Sequence, residues 1–147
     1  MASNTSKKLC LIVGTRPNLV KAAPLIASFK KEPHFQLSIL HTGQHSDPAL
    51  SRIFQNELRL GKPDKTINLS RYSDRLPKIA RMVSQIAKFL TQKKIDVVIV
   101  VGDVDSSLAG ALAASKLKLP LVHIEAGLRS QDLKTPEELN RFIVDQL

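Results

Sequence analysis

The sequence predicts an α/β domain: a Rossmann-like parallel sheet flanked by helices. Three observations carry that reading. Short aliphatic runs alternate with longer segments of helical periodicity along the chain, the pattern of βαβ units. Aromatic residues are 4% of the total and Trp is absent, so the core is aliphatic, as suits strands buried on both faces. Two runs, 96–101 and 119–124, each lead into an acid, Asp103 and Glu125. Open α/β sheets bind ligands beyond the carboxyl ends of their strands.

In chain order, Leu9–Val13 closed by Gly14 reads as a buried strand. Pro17 then starts a helix to about Lys31, since the first helical N–H needs no partner. Its expected inner face is Leu19, Val20, Ala23, Ile26 and Ala27, and Pro24 should kink or restart it. Gln36–His41 is a second strand, followed by the loop Thr42-Gly43-Gln44-His45. A helix is expected at 48–57 and a short strand at Lys65–Leu69. Arg75–Lys93 is the clearest helix, with Leu76, Ile79, Ala80, Val83, Ile86, Ala87 and Leu90 recurring at helical spacing. Strand Asp96–Val101, the alanine-rich helix Ser106–Leu117 and strand Leu119–Ile124 follow. Thr135-Pro136-Glu137-Glu138 has the form of a helix start, with Thr135 as N-cap and Glu138 closing a capping box. Leu139, Phe142, Ile143 and Leu147 would form the apolar face of that last helix.

The 147 residues suggest one domain, and 43% hydrophobic content suffices for a core. The net charge of +9 favours anionic partners, or simply solubilises the surface. The lysines are scattered and no aromatic platform accompanies them, which argues against nucleic acid. The lone Cys10 excludes a disulfide framework within the chain. The start MASNTSKK lacks a signal-peptide core. No apolar run nears the roughly 18–20 residues of a membrane span. A cytoplasmic protein with no membrane partner is expected.

Each candidate site residue has a structural alternative. Gly14-Thr15-Arg16-Pro17, with Lys21 nearby, is an anion-binding turn at a helix amino end or an ordinary βα turn. Asp103 is a reactive carboxylate or an N-cap. Glu125 is reactive, or a structural ion-pair partner of Arg129 or Arg141. Glu137, freed if Glu138 serves the cap, has Arg141 four residues on as a possible partner. His41, His45 and His123 lack metal-ligand spacing, so no metal is expected.

The stretches GTRPNLVKAAPL, TGQH, VGDVDSS, HIEAGLRS and PEELNR together resemble the non-hydrolysing UDP-N-acetylglucosamine 2-epimerases, in order and spacing, from about Lys8 onward. The resemblance implies the first half of a two-domain fold of the glycosyltransferase-B type, with residues 1–147 as the N-terminal domain and the C-terminal domain absent. It implies interconversion of UDP-N-acetylglucosamine and UDP-N-acetylmannosamine by elimination and re-addition of UDP through a 2-acetamidoglucal, without a cofactor. Asp103, Glu125 and Glu137 match the catalytic carboxylates; Arg16, Lys21, Gln44, His45, Arg71 and Arg141 fall with substrate-binding residues. The sequence departs from the family pattern at Asn18, Asp47 and Asp105. A homodimer or a separate C-terminal-half subunit is the expected partner. The competing reading is a non-catalytic fragment that binds UDP-sugar or regulates a longer partner.

Overall fold

Five parallel strands in the order β3-β2-β1-β4-β5 form the sheet. The structure is a computed structural model that describes residues 6–44 and 61–147. The chain runs β1 (Lys7–Val13), α1 (Arg16–Phe29), β2 (Phe35–His41), β3 (Lys65–Thr66), α2 (Arg75–Lys93), β4 (Val97–Val101), α3 (Asp105–Lys116), β5 (Leu121–Ile124) and α4 (Pro136–Gln146). His45 and the helix expected at 48–57 lie outside the described residues.

Alternation along β1 shows why the sheet is covered on both faces. Leu9, Leu11 and Val13 pack under α1 against Leu19, Ala22, Ile26, Ile39, Ile99 and Val101. Cys10 and Ile12 point the other way, into a larger core with Met82, Ile86, Phe89 and Leu90 of α2 and the alanines of α3. Period-two side chains on a strand buried on both sides give such a split. Each fully buried Leu or Ile here contributes about 1.5–3 kcal/mol.

Several expected details shift. Helix α1 is not restarted at Pro24; the carbonyl that loses its partner belongs to Val20, which is 53% exposed and open to water. The inner face of α1 is Asn18, Leu19, Ala22 and Ile26 rather than the stripe through Val20 and Ala27. In α2 the deepest residues are Met82, Ile86, Phe89 and Leu90, while Leu76 at its start is exposed. Strand β3 keeps only two residues, and Ile67 and Leu69 after it are buried. Helices α2 and α3 stop alike: Lys94 and Lys118 adopt left-handed φ, and the next residues, Ile95 and Leu119, donate back to Leu90 and Ala114. This Schellman-type ending seats an apolar residue beneath each helix end.

The largest revision concerns α4. Its buried residues are Glu138, Asn140 and Val144, whereas Leu139, Phe142 and Leu147 are each 44% exposed. The expected capping box does not form, since the Thr135 hydroxyl donates to the Asp132 carbonyl (2.9 Å). Polar side chains of α4 are buried because they find partners: Glu138 accepts from the Gln131 N–H and Arg141, and Asn140 donates to the Asp103 carbonyl and Asp105. No helix among the described residues is long and apolar enough to cross a membrane.

Candidate active site

The carboxyl ends of β4 and β5 are adjacent in the sheet, with Val101 paired to Ile124. Gly102 follows at φ +68°, a conformation that costs other residues roughly 1–2 kcal/mol, and turns Asp103 off the edge. A Cβ on Gly102 would lie 3.4 Å from Glu125 Oε2 and 3.6 Å from Asn18 Nδ2. The β4 turn therefore packs directly against the Glu125 carboxylate and the first turn of α1. Glu125 itself has φ +68°. A non-glycine residue held there stores about 1–3 kcal/mol of strain, which the surroundings must enforce.

Each carboxylate has a cation. Lys21 Nζ lies 2.6 Å from Glu125 Oε2. Arg141 donates to Asp103 Oδ2, and through its other terminal nitrogen to Glu138 at 3.1 Å. The pairing expectations are thereby corrected. Glu125 is held by Lys21, while Arg129 pairs with Asp145 (2.6 Å) and lies over the Phe142 ring. Arg141 serves Asp103 and Glu138 rather than Glu137. Asp103 is not an N-cap: that position is Val104, without a side-chain cap. The half-open Lys21–Glu125 pair adds little stability, so its effect is to orient the carboxylate.

Polar residues beneath hold the frame. Asn140 donates to the Asp103 carbonyl (2.9 Å) and to Asp105 Oδ1 (3.0 Å). Arg75 Nε donates to Asp105 Oδ2 (2.8 Å). Burial raises the Asp105 carboxyl, but the Arg75 and Asn140 bonds outweigh it and leave it below the usual range. Backbone donation from Ser130 holds Glu138 low against its burial, with help from Gln131. On the α1 side, Thr15 Oγ1 and Asn18 Oδ1 are buried without a partner among the described residues. Gln44 accepts from the Ser106 hydroxyl at 2.6 Å.

Of the expected residues, Lys21 with Glu125 and Arg141 with Asp103 form two ion pairs at adjacent strand ends. Arg16 is exposed at the start of α1, and Gln44 sits at the neighbouring strand end. Glu137 is exposed on the first turn of α4, within electrostatic reach of Arg75. Arg71 is exposed on the loop after β3, and no described contact joins it to the cluster. His45 lies outside the described residues. Arg75, Asn140 and Asp145 escaped sequence reasoning. The one available signal was that Asn140 and Val144 share a face of α4 with Glu137 and Arg141, opposite the apolar residues that drew attention. Among the described residues no group of His, Cys, Asp and Glu could hold a metal.

Carboxylates from two strands, each steered by a cation, suit proton transfer beside a bound anion. The family model described as UDP-N-acetylglucosamine 2-epimerase matches residues 27–147. The chain belongs to that family. It is 44% identical over 140 residues to a UDP-N-acetylglucosamine 2-epimerase of Methanococcus maripaludis, covering 95% of this chain and 37% of that protein. It is 40% identical to a UDP-2,3-diacetamido-2,3-dideoxy-D-glucuronate 2-epimerase of Pseudomonas aeruginosa, with 95% and 39% covered. The crystal structure of the Methanocaldococcus jannaschii UDP-GlcNAc 2-epimerase, in complex with UDP-GlcNAc and UDP, superposes with a TM-score of 0.88 at 42% identity, covering 95% of this chain and 38% of that one. The chain thus spans under two-fifths of the length of these relatives. The family assignment and the parallel sheet agree with the glycosyltransferase-B type of fold expected from sequence.

Proposed function

We propose that this chain supplies the N-terminal half of a UDP-N-acetylglucosamine 2-epimerase site. Asp103 and Glu125 are the acid and base at C2, with Glu137 as a third carboxylate on the rim. One removes the C2 proton as UDP leaves, and a proton returns on the other face before UDP adds back. Lys21 and Arg141 set the orientation of Glu125 and Asp103. Arg16 and the amino end of α1 attract the diphosphate, and the buried Thr15 and Asn18 oxygens beside them, unpartnered among the described residues, are available to a sugar or water donor. Gln44 and Arg71 belong to the outer cleft. The observation that carries the reading is that Asp103 and Glu125 stand just beyond adjacent strand ends, in a chain of this family. The second domain, as part of a longer chain or as a separate subunit, completes the cleft, and a homodimer is the assembly we favour.

Amide resonances of Gly102, Glu125 and the first turn of α1 should shift on adding UDP-GlcNAc. The isolated chain should not exchange the C2 proton with deuterated solvent at enzymatic rates of about 1 per second or more. Half a cleft forfeits much of the roughly 7–11 kcal/mol that proper positioning supplies. Absence of UDP-sugar shifts at these residues would overturn the site. Enzymatic exchange by the chain alone would overturn the need for a second half.

A further inference from the structure

Both ring nitrogens of His123 face acceptors. Nε2 lies 2.8 Å from the Gly102 carbonyl oxygen, and Nδ1 lies 2.6 Å from Asp145 Oδ1. The His123 side chain is 7% exposed and that of Asp145 10%. A carbonyl can only accept. The Asp145 carboxyl is raised by burial, but donation from the Gly127 N–H, Arg129 and His123 outweighs this and holds it below the usual range, so it too accepts. A neutral imidazole has one N–H and would set a lone pair against one of these oxygens. We propose that His123 is a positioning residue, working as an imidazolium that ties together the two turns carrying Asp103 and Glu125.

The connections are specific. Through Nε2 the ring holds the Gly102 carbonyl, one residue before Asp103. Through Nδ1 it holds Asp145 on α4. The other oxygen of Asp145 accepts from Gly127 N (2.9 Å) and from Arg129 (2.6 Å), fixing the chain two residues beyond Glu125. The other charged pairs at these strand ends are Lys21 with Glu125 and Arg141 with Asp103. A groove of about 660 Å³ between β5 and α4 borders His123 and Asp145, giving the ring a route for proton exchange. The latch is complete while Asp145 is ionised and both ring protons are present. With a single ring proton, a lone pair would meet one of these two oxygens. The role in epimerisation rests on the proposal that Asp103 and Glu125 react; the charge state and the latch do not.

The test uses the full chain labelled with 15N-histidine. Long-range 1H–15N correlation reads the ring state, and His123→Gln identifies the signal among the four histidines. The expected result is two protonated ring nitrogens in the folded chain. Asp145→Asn, checked for folding by circular dichroism, should leave the ring with a single proton and move the Gly102, Asp103 and Gly127 amides. If that variant does not fold, the ring state of the unmodified chain decides. A single neutral tautomer in the folded chain, or amides that ignore the change at the ring, would overturn the proposal. No step uses a UDP-sugar, so failure here is distinct from failure of the epimerase reading.

Discussion

Replacing Gly14 with Ala should destabilise the fold by about 2–4 kcal/mol, for reasons that can be followed atom by atom. A Cβ at this position would lie 1.9 Å from Ser106 Oγ, 2.5 Å from Thr42 Oγ1 and 2.8 Å from Ser106 Cβ. The hydroxyl could rotate away, but it would give up its 2.6 Å bonds to Gln44 and Thr42. Each is worth roughly 0.5–1.5 kcal/mol. The Ser106 Cβ has no such escape, since it moves only if α3 moves, and overpacking of this kind costs about 1–3 kcal/mol. The entropy that Ala removes from the unfolded chain offsets roughly 0.4–1 kcal/mol at most. Against a typical domain stability of about 5–15 kcal/mol the loss is large. It corresponds to a fall in Tm of about 4–16 °C. Urea unfolding and thermal melts followed by circular dichroism measure it. Adding Ser106→Gly removes both Ser106 overlaps and should restore part of the loss. A single variant within about 0.5 kcal/mol of the parent, the range of neutral surface changes, would refute the steric argument. So would a double variant no more stable than the single one.

Two further outcomes follow from buried groups. The folded Asp105 carboxyl lies below its ordinary value, so its contribution is full above about pH 4, the unfolded value, and is lost as pH falls through the folded one. Asp105→Asn should cost about 1–2 kcal/mol at neutral pH, discounted because Arg75 is half exposed, and should flatten the acid limb of a stability-versus-pH curve measured by urea unfolding; an unchanged slope below pH 4 would count against it. Cys10 has no exposure, and its thiol is pushed up to about 12, by burial first and the Asp64 charge second. A thiol reagent should therefore label it only through global unfolding, at a rate that rises with urea in step with the circular dichroism transition, and rapid labelling of the native protein would show that β1 opens locally.

The linear sequence determined what depends on local periodicity and on motif order. The α/β class, the parallel sheet and the identity of most elements followed from aliphatic runs alternating with helical patterns. The placement of Asp103 and Glu125 at strand ends followed from the same pattern, because a strand's end is marked by where its apolar run stops. Family membership followed from five short motifs in register. Only the tertiary structure could decide which side chains pair, since those pairs join residues far apart in sequence. Lys21 reaches Glu125 across 104 positions and Arg141 reaches Asp103 across 38. The same limit explains α4. Its exposed Leu139 and Phe142 and its buried Glu138 and Asn140 invert the usual amphipathic reading, because the loop at 130–131, Arg141 and the Asp103–Asp105 turn supply partners for those polar groups. His123 shows the limit most plainly. In sequence it is a histidine without metal spacing; the fold sets a carbonyl at one nitrogen and a carboxylate at the other, and hydrogen-bond chemistry then fixes what the ring must donate.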